Sequence, residues 1–153
     1  MRGIILTAGR GGDWLLTARS EDALLVAFRG RNEQYPDEEM KLRVRNGRVT
    51  EISNALRDGE SNGLAKFGAT GAGLLVEELD RLGAAGVIKD WAPSAFAGFC
   101  RRRPLHVVDH RGFPWIDIDS PNDYRRACTH TAPVLDDAVP GVGTAVRRAA
   151  DHV

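Results

Sequence analysis

Two acidic residues end a short apolar segment in the last third of the chain. Asp117 and Asp119 alternate with isoleucines in the run Trp-Ile-Asp-Ile-Asp at 115–119, so a strand here places the carboxylates on one face and the isoleucines on the other. Carboxylate oxygens are the ligands that Mg²⁺ prefers, and the pattern therefore indicates a metal site at this strand end. The alternative is a strand whose acidic face is simply solvated. Trp115 shares the acidic face, as an aromatic wall for a ligand or as a cap on the core.

Two lysines and a glutamate are further charged groups that suit a phosphorylated ligand. Lys41 and Lys66 are candidates for contacting an acceptor phosphate, and Lys66 lies in the mostly apolar run Gly-Leu-Ala-Lys-Phe. A charge inside such a run needs a ligand or a partner. Glu60 either supplies that partner or, with Asp117, holds a cationic group of the ligand.

A glycine-rich segment, Ala8–Gly12, follows the apolar run Gly3–Thr7 at the start of the chain. Backbone N–H groups around Gly9 and Gly11 can approach a phosphate closely because glycine has no Cβ. Arg10 either contacts that phosphate or is exposed. The alternative is a plain flexible turn.

The elements that must position these residues follow from periodicity and turn signals. Apolar runs predict strands over Gly3–Thr7, Ala23–Arg29, Gly63–Phe67, Leu105–Asp109 and Trp115–Asp119. Alternation on both sides of Asn46-Gly47 predicts a hairpin, with strands Lys41–Arg45 and Arg48–Ile52.

Helical spacing predicts three helices between or after these strands. They cover Ala69–Leu82, ended by Gly83, Ala92–Arg103, and Asn122–Cys128, the last capped by Ser120 or Asn122 with Pro121 in its first turn. Strands that alternate with helices indicate an α/β layer structure. Residues 1–130 are predicted to form one domain, and the Pro-, Gly- and Asp-rich residues 131–153 a weakly docked tail with one helix.

Composition limits the function classes. The chain has 153 residues with 21 basic and 21 acidic side chains, so the net charge is zero and lacks the global field on which nonspecific nucleic-acid binders rely. No apolar run reaches membrane-spanning length. Cys100 and Cys128 are too few for a disulfide framework and have no metal-type spacing, which favours a reducing cytoplasm. We expect a cytoplasmic protein without nucleic-acid or membrane partners.

Four segments in order carry a resemblance to a known family. They are Gly3–Gly12, the hairpin beginning at Glu39-Met40-Lys41, Gly59–Phe67 and Trp115–Asp123. Together they resemble the sugar-phosphate-type nucleotidyltransferases, in the branch of cytidylyltransferases that act on phosphocholine, inositol phosphate or phosphonates. The resemblance implies a Rossmann-like nucleotide-binding sheet with an inserted β-hairpin over the acceptor site.

The resemblance also implies site residues. The family's glycine loop, which wraps the base and phosphates, matches Leu6, Ala8, Gly9, Arg10 and Gly11, with Thr7 in place of an alanine. The family's late Mg²⁺-binding aspartate corresponds to Asp119. We therefore expect Asp119 and the glycine turn to share a pocket that seats a magnesium-bound nucleotide.

One segment of the family is missing from this chain. In the family a Pro-Lys segment follows the glycine loop, and its lysine meets the triphosphate, whereas here Gly12 leads directly to Asp13-Trp14. Asp13 is either the family's first metal-binding aspartate, brought close by an internal deletion, or part of a chance turn. The expected fold is thus a truncated Rossmann-like nucleotidyltransferase sheet.

The sequence leaves three functions open. The first is Mg²⁺-dependent transfer of a nucleotide, CMP from CTP by the resemblance, to a small phosphorylated or phosphonate acceptor with release of pyrophosphate. The second is a non-catalytic shortened relative that binds a small molecule or docks on a partner. The third is one half of a split enzyme, completed by a partner chain. Homo-oligomerisation is a further expectation, because missing strands would expose core surface.

Overall fold

The computed structural model describes residues 4–7, 10–28, 40–53, 55–56, 59–87, 91–110, 115–118 and 120–138. They form two compact units, one from residues 1–13 and 112–153 and the other from residues 14–111. Among the described helices, none combines the length and the apolar character needed to cross a bilayer.

The larger unit is built on a ring of five strands in the order β2-β5-β3-β4-β6. The strands are β2 (Ala23–Ala27), β3 (Lys41–Arg45), β4 (Arg48–Ile52), β5 (Gly59–Lys66) and β6 (His106–Asp109). Only β2 and β6 pair in parallel; the other neighbours in the ring are antiparallel. The predicted α/β character is present, whereas a largely antiparallel ring is not the arrangement expected of a Rossmann-like sheet.

The hairpin prediction is confirmed in both strands and in the turn. Asn46 and Gly47 have φ values of 50° and 71°, the left-handed conformations that a two-residue type I′ turn requires at both central positions. Asparagine and glycine tolerate such angles better than other residues. The turn therefore fixes Arg45 opposite Arg48.

Two helices cover the face of the ring that carries the main core. They are α2 (Ala69–Ala84) and α3 (Trp91–Arg102). On β2 and β3 the fully buried core residues Leu24, Val26 and Leu42 alternate with residues of the opposite face. Phe99 of α3 and Leu105, just before β6, complete this core. Helix α2 runs past the predicted stop at Gly83, and the first residue beyond it with a positive φ is Gly86, at 72°.

Three carboxylates and three arginines form ion pairs within α2, between α2 and α3, and between the end of α3 and the residue before β2. Arg102 donates to Glu77 and Glu78, and Arg81 also donates to Glu78, whose side chain is only 6% exposed. The hydrogen bond from Arg81, more than any other contact, lowers the pKa of Glu78. Arg103 binds the buried Asp22.

The smaller unit contains an antiparallel pair of strands, β1 (Ile4–Thr7) and β7 (Trp115–Ile118). Helix α4 (Pro121–Arg126) follows β7, and a π-helical turn (Ala127–Thr131) leads into α5 (Ala132–Ala138). The cap prediction is confirmed, because the Ser120 hydroxyl accepts from the N–H of Asp123 and the Asp123 carboxylate accepts from the N–H of Ser120. Helix α5 occupies the start of the predicted tail, and the helix that the sequence predicts over Gly143–Asp151 lies outside the described residues.

Helix α1 (Arg10–Thr17) replaces most of the predicted glycine turn. Arg10, Gly11 and Gly12 lie in its first turn. The unit boundary falls inside this helix, between Asp13 and Trp14.

Candidate functional site

One end of the five-stranded ring carries three fully buried titratable side chains. Lys41 begins β3, Glu60 is the second residue of β5, and His110 directly follows β6, and each is 0% exposed. Lys41 and Glu60 are directly opposite each other in the β3–β5 ladder. We call these three residues the buried polar cluster.

The strand register explains why the three side chains share one face. Glu60 is opposite Lys41 on one side and opposite Ala27 on the other. The parallel ladder of β2 with β6 places Asp109 beside Val26, so His110 continues the row beside Ala27, and its N–H donates to the Val26 carbonyl at 2.8 Å. Residues directly opposite each other in a sheet point to the same face.

Backbone hydrogen bonds hold the strand ends of the cluster in place. The N–H of Ser61 donates to the Met40 carbonyl at 2.9 Å, and the N–H of Ser53 donates to the Lys41 carbonyl at 3.1 Å. Because Leu42 and Ser61 point to the opposite face, alternation directs Lys41 and Glu60 away from the main core.

The chemistry of the cluster is that of an ammonium, a carboxylate and an imidazole removed from water. Removing an unpaired charge from water costs roughly several kcal/mol. Opposite charges at facing positions of the sheet reduce that cost. All three residues make polar or electrostatic interactions within the chain. A buried ammonium stabilises a negative charge more strongly than an exposed one, because little water screens it.

His110 is the member that sequence reasoning missed. In the sequence it directly follows the predicted strand Leu105–Asp109, and nothing in its spacing distinguishes it from the other histidines. Its position depends on the parallel pairing of β6 with β2, a contact between residues more than 80 positions apart. A single sequence gives no direct signal of such a pairing.

Lys66 lies away from the cluster and has other partners. Its ammonium donates to the carbonyls of Ala18 at 2.6 Å and Leu16 at 3.3 Å, at the end of α1. Along β2 the partners of Glu60 and Lys66 are Ala27 and Ala23, so these two charges are about 13 Å apart along the strand direction. Glu60 is therefore not the partner of Lys66, and the structure favours an anchoring role for this lysine.

The predicted residues of the smaller unit lie on the β1–β7 ribbon or next to it. Leu6 is opposite Ile116, Trp115 is half-buried opposite Thr7, and the exposed Asp117 is opposite Ile5. Ala8, Gly9 and Asp119 lie outside the described residues.

The register of β1 with β7 can be compared with the expectation that the glycine turn and Asp119 share a pocket. In this antiparallel pair Thr7 is opposite Trp115 and Ile4 is opposite Ile118. The chain thus leaves β1 and β7 at opposite ends of the ribbon, about 10 Å apart. Strand pairing alone therefore does not bring the two predicted elements together; Trp115 is the residue opposite Thr7, the last residue of β1.

Three further features of the described residues bear on function: a cleft, the grouping of possible metal ligands and the state of one thiol. The cleft, of about 370 Å³, lies between α1 and β6 and is lined by Trp14, Thr17, Ala18, Val107, Val108 and Asp109. Within the described ranges, no three residues among His, Cys, Asp and Glu are grouped to hold a metal ion. Burial raises the pKa of the Cys100 thiol to about 11, so this thiol stays protonated at neutral pH and is a poor nucleophile.

The chain is similar to known proteins in its three-dimensional structure, as two solved structures show. No protein-family model and no curated protein sequence matches the chain. The inositol-1-phosphate CTP transferase from T. maritima has a TM-score of 0.57 at 14% identity over 94% of this chain and 53% of its own. The CTP:phosphocholine cytidylyltransferase from Streptococcus pneumoniae has a TM-score of 0.51 at 19% identity, over 70% of this chain and 46% of its own. The fold is cytidylyltransferase-like.

The likeness is one of fold, because the identities are low, and it is partial in extent. This chain spans about half the length of both solved structures. The ring and the ribbon are thus parts of a cytidylyltransferase-like architecture, and the finer description as a truncated Rossmann-like sheet remains a prediction.

Proposed function

We propose that this cytidylyltransferase-like chain transfers a nucleotide, CMP from CTP, to a small phosphorylated or phosphonate acceptor. The observation that carries the proposal is the likeness over 94% of the chain to a structure described as a CTP transferase. The second matched structure is also described as a CTP-dependent enzyme. The ordered sequence resemblance over the glycine segment, the hairpin and the Trp115–Asp123 run supports the same reaction.

In this reaction an acceptor oxygen attacks the α-phosphorus of CTP. The bond from that phosphorus to the bridging oxygen breaks, and pyrophosphate leaves with the electron pair. Negative charge grows on the phosphoryl oxygens, so a preorganised cation lowers the barrier. In the proposal Lys41 supplies that cation, and Glu60 orients its ammonium or holds a cationic group of the acceptor. Lys66 anchors α1 instead.

The proposal includes Mg²⁺, with Asp119 and Asp13 as its candidate ligands. When bound, a hard cation of this kind neutralises charge on phosphate oxygens. Because the described residues contain no group of three ligands, no step of the reaction is assigned to the metal. Asp117 and Trp115 are proposed to contact the acceptor.

A second candidate is a binding protein without catalysis, or one half of a split enzyme. The observation that favours it is the short path from the glycine segment to the second strand. Helix α1 ends at Thr17 and β2 begins at Ala23, which leaves no place for the Pro-Lys segment of the resembling family. A separate partner chain would then supply the missing lysine.

The test is release of pyrophosphate from CTP with Mg²⁺, measured with and without phosphocholine, inositol-1-phosphate and an alkyl phosphonate. Acceptor-dependent release that is kept in Asp80→Asn but lost in Asp119→Asn, and lost in Lys41→Met at a temperature where circular dichroism shows that variant to be folded, supports the proposal. Asp80 is an exposed residue of α2 and is the matched charge control.

Two other outcomes distinguish the alternatives. Saturable binding of CTP or an acceptor without any release of pyrophosphate contradicts catalysis and supports the binding protein. Release that appears only after a copurified, lysine-bearing chain is added supports the split enzyme. Absence of both binding and release contradicts all three.

A further inference from the structure

The hairpin places like charges opposite each other at the end of the ring remote from the buried polar cluster. Arg45 is opposite Arg48 across the turn, and Arg48 is opposite His106 across the single residue pair that joins β4 to β6. We call these three residues the cationic row. Because paired residues point to one face, the three basic side chains lie side by side.

The backbone makes the contact between Arg48 and His106 especially close. The N–H of Val49 donates to the Leu105 carbonyl at 2.9 Å, and the N–H of Val107 donates to the Gly47 carbonyl at 3.0 Å. These bonds flank the Arg48–His106 pair, so it is a non-hydrogen-bonded pair, in which the Cα atoms are about 4.5 Å apart. The turn pair Arg45–Arg48 is about 5.5 Å apart.

The neighbouring row of the same hairpin shows the opposite arrangement. Arg43 is opposite Glu51, and the two form an ion pair. Opposite charges at facing positions stabilise a sheet, and like charges destabilise it. Within the described ranges, Arg45, Arg48 and His106 make no side-chain hydrogen bond or ion pair. The hairpin thus neutralises one row and leaves the next one positive.

We propose that the cationic row binds the phosphate group of a small phosphorylated molecule. Arginine forks match phosphate oxygens and form charge-assisted hydrogen bonds with them. The row spans about 10 Å between its outer Cα atoms, which fits one phosphate or a diphosphate. A nucleic acid needs a longer basic track, and the zero net charge of the chain does not supply one.

The row is distinct from the buried polar cluster. Lys41 and Arg45 are the two ends of β3, about 13 Å apart. Arg45 and Arg48 are exposed and His106 is half-buried, whereas the cluster is fully buried. The row is therefore open to a ligand from solvent.

The direct test is calorimetric titration of the whole chain with inorganic pyrophosphate at fixed ionic strength. We expect saturable binding that weakens about tenfold or more in Arg48→Glu and in Arg45→Gln. Arg101→Gln removes the same charge from an exposed position on α3 and should change the affinity less than twofold. Equal affinity of all these variants, or no binding of pyrophosphate to the wild type, overturns the proposal.

The thermal unfolding midpoint of the protein without ligand gives an independent test of the charges in the row. Arg48→Glu turns the like-charge pair with Arg45 into an opposite-charge pair, so its unfolding midpoint should rise by about 2–4 °C while pyrophosphate binding is lost. A rise in the midpoint with unchanged binding overturns the proposal. If Arg48→Glu does not fold, the solvent-exposed variant Arg45→Gln decides the binding question.

Further titrations identify the source of the phosphate. If CTP displaces pyrophosphate and phosphocholine and inositol-1-phosphate do not, the row binds a phosphate of the nucleotide. If phosphocholine or inositol-1-phosphate displaces pyrophosphate and CTP does not, the row binds the phosphate of the acceptor. Binding of a single-stranded oligonucleotide without binding of pyrophosphate overturns the proposal in favour of nucleic acid. The outcome is separable from nucleotidyl transfer, because a chain that binds pyrophosphate through the row and releases none from CTP supports this site and contradicts the transfer.

Discussion

Lys41 and Glu60 face each other across the β3–β5 ladder, and both side chains are completely buried. Each residue was a candidate site residue from the sequence, but for separate reasons and with different expected partners. The ladder makes them neighbours and adds His110 in the same row.

Removing one charge of this facing pair should cost far more stability than removing both. Lys41→Met leaves a buried carboxylate opposite an apolar side chain, so the free energy of unfolding should fall by about 3–5 kcal/mol. The double variant Lys41→Met/Glu60→Met should recover most of that loss, because neither charge is then buried. Urea denaturation of both variants and of Glu60→Met measures the coupling. Losses that simply add would show that the two residues do not interact.

Two glycines leave room for buried carboxylates, and alanine at either position should destabilise the protein. A Cβ at Gly98 would overlap the carboxylate of Glu78, and a Cβ at Gly71 would overlap that of Asp22. Both carboxylates are held by arginines and cannot shift without loosening those contacts. We expect Gly98→Ala and Gly71→Ala each to lower the free energy of unfolding by about 1–3 kcal/mol.

Gly73 is the matched control for the two glycine variants. It lies in α2, and apart from its sequence neighbours and the backbone of its own helix no atom lies within 4 Å of an added Cβ. Because alanine is the better helix former, Gly73→Ala should stabilise the protein by about 0.5–1 kcal/mol. The same sign of change at all three glycines in thermal unfolding would contradict this account.

Glu78 should contribute to the acid sensitivity of folding. Its pKa lies below the ordinary value, first because of the hydrogen bond from Arg81. A lowered folded-state pKa stabilises the fold above the unfolded pKa, and this contribution is lost as the pH falls through the folded pKa. Between about pH 5 and pH 3, the free energy of unfolding should fall more steeply in the wild type than in Glu78→Gln. Parallel curves would show that Glu78 is not involved, and Asp80→Asn controls for loss of one carboxylate.

Lys66 should act on stability rather than on chemistry. Its ammonium holds the carbonyls of Leu16 and Ala18, so Lys66→Met should lower the free energy of unfolding by about 1–3 kcal/mol. At a temperature where the variant is folded, pyrophosphate release from CTP should match that of the wild type. A variant of normal stability and much reduced release would instead support the catalytic role that the sequence suggested for this lysine.

Local signals in the sequence predicted the elements well where one physical cause dominates. Asn46-Gly47 fixes a tight hairpin because only a few residues adopt its left-handed angles. Ser120 and Asp123 form a reciprocal cap within four residues. The strand β2 was evident from its apolar run, and all five of its residues are buried. The glycine segment failed as a predicted turn, because three of its residues begin helix α1.

The candidate site was only partly accessible to sequence reasoning. The sequence singled out Lys41, Glu60 and Lys66 as candidates and indicated that Lys66 needs a partner, but Glu60 faces Lys41 and the partners of Lys66 lie at the end of α1. The roles of Asp119, Asp13 and the glycine segment stay predictions, since their support is the resemblance in sequence.

The sequence by itself determined where most strands and helices lie, where the hairpin turns and how helix α4 is capped. Those properties depend on neighbours within a few positions, through backbone angles, periodicity and capping. Only the tertiary structure decided that Lys41 faces Glu60 in a row that ends at His110, and that Arg48 lies between Arg45 and His106. Such rows depend on register between distant strands, which is set by the packing of the whole ring and not by any local signal.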